Sequence, residues 1–285
     1  MKAYIIYHQD EAEKNAAFID MFKKAGIKYN IFFEYISYDT YKNHPLPDFV
    51  INRTRDYKVS RWYEDRAVKV FHSSLITRIG NDKYKTISYL KRNLPGKILK
   101  TKWCPESRLF TSNELNAFYK EKKLIRDRYI IKSLNGHGGE EVFMVSDIKS
   151  QDKALNNLKE KDCIIQEVID SDSNDIRVYV VGGKIYAAIL RHGNNDFRSN
   201  FSLGGHVEEY IPDEYQKKYI QNFIDAFGDK ELGMVGIDFI LDRDNNLVFN
   251  ELEEMAGSRM LYKCTDKDIV SDYVSWINSF CCTRL

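Results

Sequence analysis

The apolar positions of the chain fall into short clustered runs and helix-period stripes, which read as strands alternating with helices. Residues 3–7 form a continuous apolar run, expected to be a buried strand. In residues 11–25, Ala17, Phe18, Met21 and Phe22 share one helical face, with Gly26 as the stop. A second strand is expected over 29–36, and a third over 48–52 after Pro45 and Pro47. Strand, helix, strand, strand predicts a small α/β unit with a partly parallel sheet, ending near Gly80.

Beyond residue 82 the pattern changes. A helix over 83–90 is interrupted by Pro95-Gly96, and a polar helix over 112–123 precedes a strand at 129–132. A glycine-rich turn and a strand at 142–145 follow. The last part opens on a strand at 163–167. Two apolar runs, 176–181 and 184–190, flank Gly182-Gly183, the two-residue signature of a tight hairpin. A helix over 213–227 leads into a second hairpin, 235–241 and 247–251, around Asp244-Asn245-Asn246. The expected class is α/β in the α+β sense, in three units: 1–81, 82–162 and 163–285.

Composition narrows the partners. Lys+Arg 43 against Asp+Glu 42 leaves no global field to hold a polyanion, so nucleic acid is not expected. The apolar run at the start is too short for a signal peptide, and no stretch reaches the roughly 18 apolar residues needed to span a bilayer. The five cysteines show no C-x-x-C spacing, and an odd number does not suit a disulfide framework. A cytoplasmic protein without a membrane partner is expected.

Three clusters carry chemistry. The first is Lys132 at a strand end, followed by Gly136, Gly138 and Gly139 immediately before another strand. Such a loop can fold over phosphates while the lysine supplies fixed positive charge; it is not a Walker loop, because no G-K-[ST] follows. An ordinary glycine-rich hairpin with a solvent lysine is the competing reading. The second cluster is Asp238, Glu251 and Glu253. Two paired strands joined by a tight turn bring Asp238 and Glu251 to one end of a hairpin, and residues 251 and 253 face the same way. Three inward carboxylates would repel one another without a cation between them, and hard oxygen ligands suit magnesium. The third is Arg198 on the glycine-bounded loop 196–205, with Arg191 upstream, suited to clamping anions. Arg53 and Arg55, after the third strand, are further candidates to bind a substrate carboxylate, or else simply solvated.

Taken in order, these pieces resemble the ATP-grasp ligases, especially the branch of ribosomal-protein glutamate ligases and lysine-biosynthesis ligases. The resembling residues are Asn81-Asp82-Lys83, 129–132 with its glycine loop, 165–169, Asp175-Ile176-Arg177, 181–184, 196–200, Gly236-Ile237-Asp238 and 249–253. The resemblance implies an ATP-grasp fold: a small N-terminal α/β domain followed by two α+β lobes that clamp ATP. It implies that Lys83 and Lys132, with Gly136, Gly138 and Gly139, hold the phosphates. The stretch Gln166, Glu167, Val168 and Ile169 would meet adenine, and Asp175 the ribose. Arg191 and Arg198 would face the triphosphate or the acyl-phosphate. Asp238, Glu251 and Glu253 would bind Mg2+, as two ions that Mn2+ could replace. The implied reaction joins a carboxylate to an amine, on small-molecule or peptide substrates, through an acyl-phosphate; a homo-oligomer is open. A kinase acting on a hydroxyl and a non-catalytic nucleotide sensor are the alternatives. Two departures stand out: Glu253 where relatives usually have Asn, and 254–259 in place of a proline-glycine turn beside the acceptor.

Overall fold

The first sheet is parallel, in the order β2-β1-β3-β4, built from β1 (Lys2–Tyr7), β2 (Phe32–Ser37), β3 (Phe49–Asn52) and β4 (Lys69–Phe71). In the computed structural model, the described residues are 1–158, 160–193, 206–228 and 232–282. Parallel strands need cover on both faces, and β1 shows why its run is apolar throughout. Ala3, Ile5 and Tyr7 enter one core with the helices Ala16–Ile27 and Ile269–Cys282. Tyr4 and Ile6 enter another with Val59 and Tyr63 of the helix Tyr57–Glu64. The single helix expected over 11–25 is two, Gln9–Lys14 and Ala16–Ile27, broken at Asn15. Gly26 lies inside the second rather than ending it. A Cβ there would meet the Ile31 carbonyl oxygen at 2.4 Å, so the glycine allows a close approach.

The second sheet is antiparallel, in the order β5-β8-β6-β7, from β5 (Ser107–Phe110), β6 (Tyr129–Ser133), β7 (Val142–Val145) and β8 (Cys163–Gln166). Its two faces divide by strand alternation. Tyr129, Ile131, Val145, Cys163 and Ile165 pack under the helices Ser112–Glu121 and Ile148–Asn157. Ile130, Lys132, Met144 and Gln166 point the other way, into an open cleft.

The third sheet supplies the opposite wall. Its order is β11-β10-β9-β12-β13, from β9 (Asn174–Val181), β10 (Lys184–His192), β11 (His206–Tyr210), β12 (Met234–Leu241) and β13 (Leu247–Glu253), all antiparallel. Ile176, Val178, Ile237 and Phe239 face the helix Glu214–Phe227, which opens on an Asp213 capping box. Asp175, Arg177, Arg191 and Asp238 fall on the other face. Both expected hairpins form. Gly182 and Gly183 adopt φ of 59° and 76°, as a tight turn between β9 and β10 requires. A bulge interrupts β12–β13: Asp238 pairs with Glu251 and Phe239 with Phe249, leaving Asn250 as the extra residue.

Candidate active site

The cleft between the second and third sheets has a volume of about 220 Å³. Its upper wall carries Lys132 from β6 and Lys83 from the start of the helix Lys83–Asn93, which is capped by the Asp82 carboxylate. Lys132 is 8% exposed and donates to Asn250 Oδ1 at 2.8 Å, so the residue displaced by the bulge is the one that meets the lysine across the cleft. Burial pushes the Lys132 pKa down to about 8; Glu251 offsets part of this and neighbouring Lys83 adds to it. Lys83 Nζ donates to the Gly136 carbonyl at 2.6 Å and lies 4.0 Å from Glu251.

The loop between β6 and β7 has the glycines it needs. Gly138 and Gly139 have φ of 67° and 79°, a region other residues enter at a cost. A Cβ on Gly136 would come 2.3 Å from Ser133 Oγ. Glu141, which accepts from both Ser133 and Lys161, braces the far side of the loop. His137 at the tip is exposed as a whole. Desolvation against the loop wall, then the cations of Arg55 and Lys83, push its pKa down to about 4.

Gln166, Glu167, Val168 and Ile169 line the cleft as the chain passes from β8 toward β9. Two of them are tied sideways: Gln166 Nε2 donates to Ser107 Oγ at 2.8 Å, and the Glu167 N–H donates to the Glu106 carbonyl at 3.0 Å. The Glu167 carboxylate accepts from the Glu106 N–H and from Lys102, both at 2.7 Å. The backbone donor of Glu167 is therefore committed within the fold.

The floor is a buried ion network. Arg177 donates Nε and Nη2 to the two oxygens of Asp238, each at 2.7 Å. Arg191 donates Nη2 to Asp238 at 2.7 Å and to Asp175 at 2.6 Å. Burial alone would raise the Asp238 pKa, but Arg177 and then Arg191 overrule it and hold the group at about 2. Arg177 Nη2 also lies 4.0 Å from Glu253. The sequence leaves Asp238, Glu251 and Glu253 in need of a cation among them. The cations that relieve their repulsion belong to the chain, and Asp238 and Asp175 are engaged by guanidinium groups. Glu251, partly exposed, lines the cleft. Among the described residues, no group of three or more His, Cys, Asp or Glu side chains is gathered to hold a metal. Arg198 lies outside the described residues.

Arg177 and Asn250 are the site residues that sequence reasoning left without a role. Both stand inside motifs that were noticed, and the signal was strand parity: residues 175 and 177 share a face with 191 and 238 once the hairpins pair.

Parallel N-terminal sheet, glycine loop over an antiparallel sheet and a charged second antiparallel sheet together define the ATP-grasp ligase class. The chain belongs to the RimK-like ATP-grasp domain family, whose model matches residues 80–277. It is 28% identical to the uncharacterized protein MG011 of Mycoplasma genitalium over 98% of this chain and 93% of that protein. It is 27% identical to a probable alpha-L-glutamate ligase of Haemophilus influenzae over 84% of this chain and 77% of that one. In fold it is similar to the D-alanine–D-alanine ligase of Bacillus anthracis solved with ATP, with a TM-score of 0.70, 13% identity, and 98% and 99% of the two chains covered. The family uses ATP and Mg2+. No helix among the described residues is long and apolar enough to cross a membrane.

Proposed function

We propose that the protein joins a carboxylate to an amine in the cleft between its second and third sheets, using ATP and releasing ADP and phosphate. The observation that carries this reading is the meeting of Lys83 and Lys132 with Asn250 and Glu251 across the cleft. Lys132 from the second sheet and Lys83 from a helix packed on the third converge on the oxygen donors of β13, an arrangement that suits a triphosphate and the charge that develops as its terminal phosphoryl group moves.

The substrate carboxylate oxygen attacks the γ-phosphorus and ADP departs; the amine nitrogen then attacks the acyl carbon, losing a proton as phosphate leaves. Lys132 neutralises phosphate oxygens at close range, because its ammonium is held among apolar walls by Asn250. Lys83 draws the Gly136 carbonyl and so sets the height of the glycine loop above the phosphates. Arg177 and Arg191 are positioning residues that hold Asp238 and Asp175 in a fixed array. Val168 and Ile169 take the base, and Asp175, at the cleft edge, takes the ribose.

The donor set fits Mg2+ in part. Glu251 and Glu253 are partly exposed oxygen donors on one strand, whereas buried Asp238 already accepts three bonds from Arg177 and Arg191 and keeps one lone pair of Oδ1 unengaged by them. Glu251 and Glu253 would hold Mg2+ or Mn2+ there, as one ion or two, and the metal would supply charge neutralisation to the phosphates. The division at residues 81 and 162, with the 82–162 unit moving against its neighbours, belongs to the same proposal. So do the small-molecule or peptide nature of the substrates and a cytoplasmic setting.

The test is incubation with ATP, Mg2+, a panel of carboxylic acids and hydroxylamine. Hydroxamate formed together with carboxylate-dependent ADP is the expected outcome. ADP formed with a phosphorylated product stable to hydroxylamine would replace ligation by a kinase reaction.

A further inference from the structure

The loop leaving β3 carries two arginines, Arg53 and Arg55, toward the end of the cleft that the nucleotide residues leave uncovered. A narrow extension of the cleft runs there, lined by Asn81, Lys83, Gly136, His137, Glu251 and Glu253. Asn81 is the junction. Its Nδ2 donates to Glu254 Oε1 at 2.7 Å and to the Arg55 carbonyl at 3.4 Å, and its own carbonyl accepts from Asn135 Nδ2 at 2.6 Å. The arginine loop, the glycine loop and the segment after β13 therefore meet at one side chain.

Arg55 has an unusual setting. Its φ is 61°, a region a long side chain seldom enters without compensation. The compensation is visible: Asn52 Oδ1 accepts from the Thr54 N–H and hydroxyl at 3.0 and 2.7 Å, and Asn52 Nδ2 donates to the Asp56 carbonyl at 3.0 Å. Asp56 in turn caps the helix Tyr57–Glu64. Three neighbours, Asn52, Thr54 and Asp56, thus hold the turn that carries this side chain. Yet Arg55 Nε is buried without a hydrogen-bond partner, and among the described residues Arg55 forms no ion pair. A buried guanidinium donor is normally satisfied, so one left open beside a cleft marks a place for an incoming acceptor. Arg53, 7% exposed, is committed elsewhere: it donates to the Tyr7 hydroxyl and the Met255 carbonyl at 3.0 and 3.2 Å, and the carboxylates of Glu254 and Glu253 act on it only at longer range.

We propose that Arg55 is a subsite for a carboxylate of the substrate other than the one that is activated, so that the enzyme takes acids carrying a second carboxylate. This rests on the ligase reading above. The guanidinium fork accepts a carboxylate in two parallel hydrogen bonds, and His137 and Asn81 close the sides. A substrate anchored there would reach back along the extension toward Lys83 and Glu251.

The experiment measures calorimetric binding, with ATP's non-hydrolysable imido analogue and Mg2+ present, of α,ω-dicarboxylates from malonate to adipate. Monocarboxylates of the same lengths serve as the comparison. The wild type binds at least one dicarboxylate more tightly than its partner. Arg55→Gln removes that preference, a loss of roughly 10- to 100-fold for one charged contact, while leaving nucleotide binding unchanged. Arg55→Lys retains part of it. Arg61→Gln, on an exposed face of the same helix, changes nothing. Equal weakening of mono- and dicarboxylates in Arg55→Gln, or no preference in the wild type, overturns the subsite. Hydroxylamine trapping reads the other question separately: hydroxamate without Arg55-dependent preference sinks the subsite alone, and preference without hydroxamate sinks ligation alone.

Discussion

Lys132 shows how one residue serves function against stability. Its folded pKa, about 8, lies below the usual lysine value because burial penalises the ammonium. Between about pH 8 and 10.5 the native state therefore binds fewer protons than the unfolded chain, and stability rises with pH across that window. Below pH 8 the full cost of the buried charge is present. Lys132→Met should accordingly melt no lower than wild type at pH 7, and by preference a few degrees higher, while ADP formation falls by roughly 100-fold or more. In the wild type, ATP affinity should weaken as pH rises through about 8 and the ammonium is lost, which titration of the nucleotide at pH 7 and 9 reads directly. Arg177 is the opposite case. Arg177→Met leaves the fully buried Asp238 with Arg191 as its one guanidinium partner and should cost about 3–5 kcal/mol in chemical denaturation. The double variant Arg177→Met/Asp238→Leu should recover much of it, because no buried charge is then stranded.

At the scale of elements, the hairpins do the positioning, and they were the most legible parts of the chain. Gly182-Gly183 makes the β9–β10 turn, and a one-residue bulge at Tyr186, between Ile185 and Ala187, shifts the register so that Asp175 falls opposite Arg191. The turn is also packed: a Cβ on Gly182 would lie 2.2 Å from Trp276 Nε1, at φ 59°. Gly182→Ala should therefore destabilise the fold by about 2–4 kcal/mol, from steric overlap and a disfavoured backbone together, seen as a lowered melting temperature. Tight-turn chemistry and alternation are local, so both were readable. The bulge at Asn250 was not, because an extra residue in one strand leaves no mark in hydrophobic period. The three-residue β4 is too short to show a period at all. The Asp238 network was half legible: spacing brought Asp238 to Glu251, but the facing of Arg177 and Arg191 depends on the pairing of β12, β9 and β10 together. Arg177 and Arg191, one strand away, bring cations to that acid that a count of carboxylates alone does not show.

At the scale of the whole molecule, the parallel sheet, the glycine-loop sheet and the ionic sheet divide the labour. The second contributes Lys132 and the glycine loop to the cleft, the third offers oxygen donors, an ion-paired floor and the helix that starts at Lys83, and the first brings the Arg55 turn to Asn81. Asn81, bonded to the first unit, the glycine loop and Glu254, joins the three. Asn81→Ala should loosen that junction and raise the substrate KM more than it lowers ATP affinity, which steady-state kinetics against each substrate would separate. The central claim is that ATP activates a carboxylate by phosphorylating its oxygen. It is tested most directly by supplying an active acid with both carboxylate oxygens labelled with 18O and analysing the released phosphate by mass spectrometry. One labelled oxygen transferred to phosphate for each amide formed is the predicted result. Amide formed with unlabelled phosphate would contradict it.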